Sequence, residues 1–244
     1  MHTARTFAIG DIHGGLKALQ NLLLLLNLHD DDKLIFLGDY VDGWGESAET
    51  IFFLMELCKK YECTFVKGNH DDLCYKWLRS GIHTDEWVIH GGQATIDSYA
   101  RFTRAEIETQ FNFFEQLQDY IILEENKLFL HAGFTNIKGP KYEYFSKMFY
   151  WDRSLWELAL AIDPNLDTTA ITYPKRLSLF KEIYIGHTPV TRINKTKPVH
   201  AACVWNIDTG AAFKGPLTAI DIETKKIYQT KPVYTFYPNE KGRN

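Results

Sequence analysis

The chain has 244 residues, 45% of them apolar and 14% aromatic, with a formal net charge of −4. That is ample for a packed core in one α/β domain spanning residues 1–244, and it excludes an intrinsically disordered chain. The mild negative charge gives no general footprint for nucleic acid or for an anionic membrane as partner.

Four cysteines, Cys58, Cys63, Cys74 and Cys203, show no C-x-x-C spacing. This argues against a zinc knuckle or a disulfide framework and favours reduced thiols in a cytoplasmic protein. The opening M-H-T-A-R-T runs almost at once into a strand pattern, leaving no room for a signal peptide. Residues 22–26 are five leucines inside an amphipathic segment, far short of the ~20 apolar residues of a membrane span.

In chain order, residues 6–9 read as a first strand and Gly10-Asp-Ile-His-Gly14 as the turn leaving it. Leu16, Leu19, Leu22, Leu23 and Leu26 recur at helical spacing, which predicts a helix over residues 15–28. Residues 33–37 form an unbroken apolar strand closed by Gly38 and followed by Asp39 and Asp42. Ser47 is a plausible N-cap, with Glu49 in the first turn, for a helix running to about residue 60. Residues 64–67 predict a third strand, ending in Gly68-Asn-His-Asp71. The order β-α-β-α-β with short connections indicates a parallel sheet. Residues 72–79 then read as a helix closed by Ser80-Gly81, with Asp71 and Asp72 as electrostatic caps.

Residues 82–127 and 134–180 read as helical or irregular insertions over the rim of the sheet. The first is broken at Gly91-Gly92 and ends in the first strand of a hairpin; the second is broken at Gly139-Pro140 and Pro164. That hairpin pairs residues 121–124 with 127–131 through Glu125-Asn126. The tail alternates short strands (182–185, 202–207, 217–222 and 226–228) and predicts a second, largely antiparallel sheet packed on the first.

One pattern recurs five times: an apolar run, a small stop, then Asp, Asn or His. It occurs in F-A-I-G-D-I-H, L-I-F-L-G-D-Y-V-D, T-F-V-K-G-N-H-D, L-F-L-H-A-G and I-Y-I-G-H-T. Ligands of open α/β sheets sit beyond the carboxyl ends of the strands. Oxygen and imidazole donors gathered there suit divalent ions such as Mn²⁺, Fe²⁺ or Zn²⁺. A carboxylate can bridge two such ions, as in phosphatases and nucleases.

These blocks, in this order, resemble the calcineurin-like metallophosphoesterases. G-D-Y-V-D and G-H-T-P resemble the branch of serine/threonine protein phosphatases and symmetrical diadenosine tetraphosphatases. The resemblance implies a four-layer fold, a β-sandwich flanked by helices with a two-metal site at the strand ends. It implies one metal, most often Mn²⁺, on Asp11, His13 and Asp39. A second would sit on Asp39, Asn69, His131 and His187, with a water bridged between the two. His70 matches the proton donor and Asp42 the carboxylate orienting it, while Asn69 also faces the substrate.

The function expected on this basis is a metal-dependent phosphoesterase acting on phosphomonoesters, foremost a serine/threonine or dual-specificity protein phosphatase. Symmetrical bis(5'-nucleosyl)-tetraphosphatase is the alternative, and an inactive phosphate-binding module the third reading. The partner is accordingly a phosphorylated protein or a small phosphoester.

One departure stands out, because the related block continues with an arginine that grips phosphate where this chain has Gly43. The replacements considered are Arg79, Arg101, Arg104, Arg153, Arg176 and Arg192. Arg153, in W-D-R-S-L-W, is preferred as the substrate-binding residue. His2, His29, His83 and His200 have no motif context and read as ordinary histidines. His90, in H-G-G-Q-A-T, stands open between a site role and a surface one. Trp44, Trp87, Trp151 and Trp156 are assigned to core packing over a nucleobase pocket.

Overall fold

The computed structural model describes residues 4–243, so His2 lies outside the described residues. Among the described residues, ten strands form two sheets of five. In the first sheet, β1 (Thr6–Ile9), β2 (Lys33–Phe36) and β3 (Glu62–Phe65) run parallel, joined through α1 (Leu16–Leu26) and α2 (Ser47–Leu57). The expected third strand sits two residues earlier than its sequence pattern indicated. Helix α3 (Asn69–Ser80) starts earlier too, so Asn69 and His70 occupy its first turn, and it ends at Gly81 with φ +72°.

The second sheet holds β4 (Tyr120–Leu123), β5 (Lys127–Leu130), β6 (Glu182–Ile185), β7 (Val199–Ala201) and β8 (Val204–Asn206), in the order β4-β5-β6-β8-β7. The hairpin β4–β5 is antiparallel as expected, but β5, β6 and β8 run parallel to one another. The sheet is therefore mixed, not largely antiparallel. The last strands, β9 (Pro216–Asp221) and β10 (Ile227–Pro232), leave it altogether and join the first sheet, β9 antiparallel to β1 and β10 antiparallel to β9. Alternation alone reported that these segments were strands but carried no information about which sheet they join. β7, only three residues long, gave too short a pattern to register.

Three apolar clusters give the four layers. Phe7, Leu34 and Phe36 pack under α1 and α2 with Leu19, Leu22 and Ile51. Leu130, Ile183 and Ile185 pack under the 134–180 insertion with Phe134, Leu155 and Trp156. Ala8, Ile35, Phe129, Tyr184 and Ile220 lie between the sheets. Alternate side chains of a strand face opposite ways, so strands covered on both faces read as continuous apolar runs. The middle layer brings the carboxyl ends of β1, β2 and β3 to the same rim as those of β5, β6 and β8.

The rings of Phe129 and Tyr184 stack at 4.7 Å in that layer, and Phe129 is fully buried. Phe129→Ala is expected to lower unfolding stability by about 3–5 kcal/mol, read by chemical denaturation. A loss below about 1 kcal/mol would mean that the inter-sheet layer does not hold the rim together.

Candidate metal centre

Asp11 and His13 follow β1, Asp39 and Asp42 follow β2, Asn69 and His70 follow β3, His131 follows β5, and His187 follows β6. All eight are buried or nearly so. Their donor atoms form two groups that share one residue: Asp11, His13 and Asp39, and Asp39, His131 and His187. His13 Nε2 stands 3.5 Å and His131 Nε2 3.3 Å from the Asp39 Oδ2. Asn69 Oδ1 completes the second group, 3.2 Å from His131 Nε2 and 3.0 Å from His187 Nδ1.

Backbone conformation marks the same residues. His13, Asp39, Asp42 and His187 all have φ between +53° and +70°, a region unfavourable for side chains other than glycine. Such strain persists only where surrounding structure enforces it. Here the loops enforce one another: His13 N donates to Asp39 O at 2.8 Å, and Gly14 N to Tyr40 O at 2.8 Å. Gly186 and Gly68 allow the closest approaches, since a Cβ on either would fall onto the carboxylate of Asp11 or Asp39 respectively.

The imidazoles are aimed by their outer nitrogens. His131 Nδ1 lies 2.7 Å from Leu37 O, and His13 Nδ1 lies 2.8 Å from Asp42 O. Each Nδ1–H donates to a carbonyl, which turns Nε2 toward Asp39, where it could hold a cation. Burial opposes charge on His131, yet Asp39 and Asp11 outweigh it and push its pKa up to about 10. Burial, Asp208 and Asp39 hold Asp11 well above the usual carboxylate range. The cluster therefore calls for positive charge between its carboxylates. His187 Nε2 is buried without a hydrogen-bond partner. Two divalent cations fit this donor set, with Asp11, His13 and Asp39 on one side and Asp39, Asn69, His131 and His187 on the other.

His70 stands beside His13, ring centroids 5.1 Å apart. Its Nδ1 is 2.6 Å from Asp42 Oδ2, and its backbone N–H donates to Asp39 Oδ1 at 2.9 Å. Asp42 is itself gripped: Trp87 Nε1 donates to Oδ2 at 2.5 Å and Thr95 Oγ1 to Oδ1 at 2.6 Å. Trp87 thus serves the site as well as the core, and the G-G-x-x-T stretch acts through Thr95, while His90 is exposed. Ser47 is the first residue of α2, not its cap; its hydroxyl is 2.8 Å from Thr95 Oγ1 and accepts from Asp42 N.

Asp71 was expected to cap a helix electrostatically, but it does more. Its carboxylate accepts from Gly68 N, Asp39 N and Tyr40 N, each at 2.8 Å, and so fixes the loop that carries Asp39. Asp208 escaped the sequence reading as well. It follows β8 in V-W-N-I-D-T-G, the same strand-end pattern as the five blocks, and its charge bears on Asp11.

The arginines sort clearly. Arg79 lies over Phe111, Arg101 pairs with Glu49, Arg104 with Glu108, and Arg176 donates to Phe134 O and Ser154 Oγ. Arg153 and Arg192 have no ion-pair partner among the described residues. Arg153 is exposed, and its charge helps burial hold His187 well below its usual value. Asp152 does not pair with Arg153; it accepts from Ser154 N and Leu155 N.

Residues 4–198 match the calcineurin-like phosphoesterase family, and the chain belongs to that family. It is a phosphoester hydrolase of the metallophosphoesterase type, a class that uses divalent metals. Among its relatives is a bis(5'-nucleosyl)-tetraphosphatase PrpE, designated asymmetrical, from Bacillus thuringiensis strain Al Hakam. The two are 31% identical over 92% of this chain and 94% of that one. A protein of the same designation from Geobacillus thermodenitrificans is 30% identical over 87% of this chain and 88% of that one. A solved structure provisionally assigned as a diadenosine tetraphosphatase superposes with TM-score 0.63 at 19% identity, covering 93% of both chains. A Saccharomyces cerevisiae protein serine/threonine phosphatase superposes at 0.58 with 13% identity, over 94% of this chain and 83% of that one. At such identities the superpositions report the fold.

Gly186→Ala tests the close packing of the rim. Its Cβ would displace the Asp11 carboxylate, so metal content measured by elemental analysis should fall while the circular dichroism spectrum is kept. Undiminished metal content would show that Asp11 is not a ligand.

Proposed function

We propose that the chain hydrolyses phosphoric anhydride and ester bonds of small phosphorylated nucleotides, with dinucleoside tetraphosphates as the preferred substrate class. The observation that carries the chemistry is the sharing of Asp39 between two donor groups. Two divalent ions held there, Mn²⁺ foremost, would orient a phosphoryl oxygen, activate water and offset the negative charge of the displacement. Asn69, through its carbonyl oxygen, and Asp11, through the N–H of His187, keep the donor groups in register.

The chain's own proton chemistry falls to His70. With Nδ1 held by Asp42, Nε2 carries the transferable proton and gives it to the leaving oxygen as the bond to phosphorus breaks. Asp42, fixed by Trp87 and Thr95, keeps the ring in that orientation. Arg153, exposed and free of any ion pair among the described residues, with its charge bearing on His187, would bind substrate phosphate.

Two observations favour nucleotides. Relatives about 30% identical over 87–92% of this chain are designated tetraphosphatases, whereas the protein phosphatases share the fold at 12–14% identity. Trp44, Trp87 and Trp156 are buried as expected, but Trp151 is 39% exposed with its ring 6.4 Å from that of His187. That is a stacking surface for a base at the rim of the centre. Water attack at the end of a tetraphosphate chain gives a nucleoside triphosphate and a monophosphate, the uneven split in the relatives' designation; attack at its middle gives two diphosphates. A parallel assay of diadenosine tetraphosphate and phosphoserine peptides decides the substrate class. Turnover of the peptides alone would overturn the nucleotide reading and restore the protein phosphatase.

His70→Asn should slow hydrolysis of an alkyl phosphate by ~10²–10⁴-fold, and that of nitrophenyl phosphate much less, because nitrophenolate leaves without a proton. Equal losses on both would make His70 a positioning residue.

A further inference from the structure

The side chain nearest the Cβ position of Gly43 belongs to none of the six arginines considered from the sequence. It is Arg243, whose Cγ lies 3.2 Å from that position and 3.0 Å from the Cβ position of Gly91. Gly43 has φ +127° and Gly91 φ +112°, so neither position readily takes a side chain of its own. The gap left by the missing arginine is filled from the far end of the sequence.

Residues 237–243 reach it as a strap across the loop that follows Asp42. The Tyr237 ring stacks on Trp44 at 5.2 Å, and its hydroxyl accepts from Lys17 N at 2.9 Å and donates to Glu46. Gly45 N donates to Glu240 Oε2 at 2.7 Å. Gly242 lies against the Trp44 indole, and Arg243 N donates to Ala212 O at 2.8 Å. These contacts fix the backbone that leads into Arg243.

The guanidinium has no anionic partner among the described residues. Its carbon lies over the Phe213 ring, 5.4 Å from the centroid. Nε is buried without a hydrogen-bond acceptor, and Arg243 makes no ion pair among the described residues. An N–H withdrawn from water without an acceptor is unfavourable, and an anion bound by the guanidinium would complete it. Its surroundings place it at the centre's edge. His13 O and Cβ lie 3.3 and 3.4 Å from the same Gly43 Cβ position that Arg243 Cγ approaches. Partial desolvation of the otherwise exposed Arg153 guanidinium lowers its pKa, and the charges of Arg192 and Arg243 add to that. Behind Arg243 opens a cavity of about 590 Å³ lined also by Phe213, Lys214 and Lys241.

We propose that Arg243 is a phosphate-binding residue of this centre, delivered by the 237–243 strap into the space over Gly43. It uses its planar donors on the phosphoryl group engaged by the metals, opposite Arg153. The lysines behind it extend the same positive surface, which suits a chain of several phosphates better than a lone phosphomonoester. This inference rests on the phosphoesterase reading of the centre but not on the nucleotide one.

The test uses the full chain loaded with Mn²⁺ and measures inhibition by inorganic phosphate of nitrophenyl phosphate turnover. A failure of the dinucleotide reading therefore leaves it intact. Arg243→Ala should raise the phosphate inhibition constant roughly ten- to a hundredfold, with metal content and melting temperature unchanged. Arg243→Lys should recover little, because an ammonium lacks the planar fork. Arg104→Ala, which removes a cation paired on an exposed helix, should match the wild type. An inhibition constant within about twofold of wild type in Arg243→Ala would overturn the proposal. So would a weakened inhibition accompanied by loss of metal or of melting temperature, which would make Arg243 a structural part of the strap.

Discussion

The carboxylate of Asp39 stands within 3.5 Å of imidazoles from two different sheets, and it does so in a left-handed backbone conformation that its residue type disfavours. Everything near it works to keep it there. Asp71 holds the N–H groups of Asp39 and Tyr40, and the Asp39 carbonyl takes the N–H groups of Ile12 and His13. His70 donates its backbone N–H to the Asp39 carboxylate while presenting its ring to the same space. A buried carboxylate among other carboxylates is an unfavourable arrangement unless cations lie between them. Divalent cations of the kind this family uses would offset that charge.

The two sheets matter because they bring this one residue its partners. β1, β2 and β3 deliver Asp11, Asp39 and Asn69 from one side, while β5 and β6 deliver His131 and His187 from the other. The stacked pair Phe129–Tyr184 and its neighbours hold the strand ends at a fixed separation. The 82–127 insertion then closes over the rim, and its contribution is specific: Trp87 and Thr95 secure Asp42, which secures His70. An insertion far from Asp39 in sequence thereby decides where the His70 ring points.

Much of this was legible in the chain. Strands buried on both faces announce themselves as apolar runs, and the residues that end them are constrained by chemistry, so Asp11, His13, Asp39, Asn69, His131 and His187 could be picked out and are brought together. Residues whose role depends on distant partners were not legible. Asp71 looks like any acidic residue in the first turn of a helix. Thr95 and Trp87 look like core, and Arg243 lies in a tail with no periodicity at all. Asp208 was the exception, since its block has the same form as the others and was overlooked. The sheet membership of β9 and β10 was hidden for a related reason, because alternation reports a strand and not its neighbour.

The central claim is that Asp39 joins two metal positions into one centre. Anomalous diffraction from crystals grown with Mn²⁺ tests it most directly. The account predicts two peaks about 3.5–4 Å apart, one beside Asp11 and His13, the other beside Asn69, His131 and His187, with the Asp39 carboxylate between them. A single peak, or peaks that leave Asp39 outside the coordination of either, would contradict it.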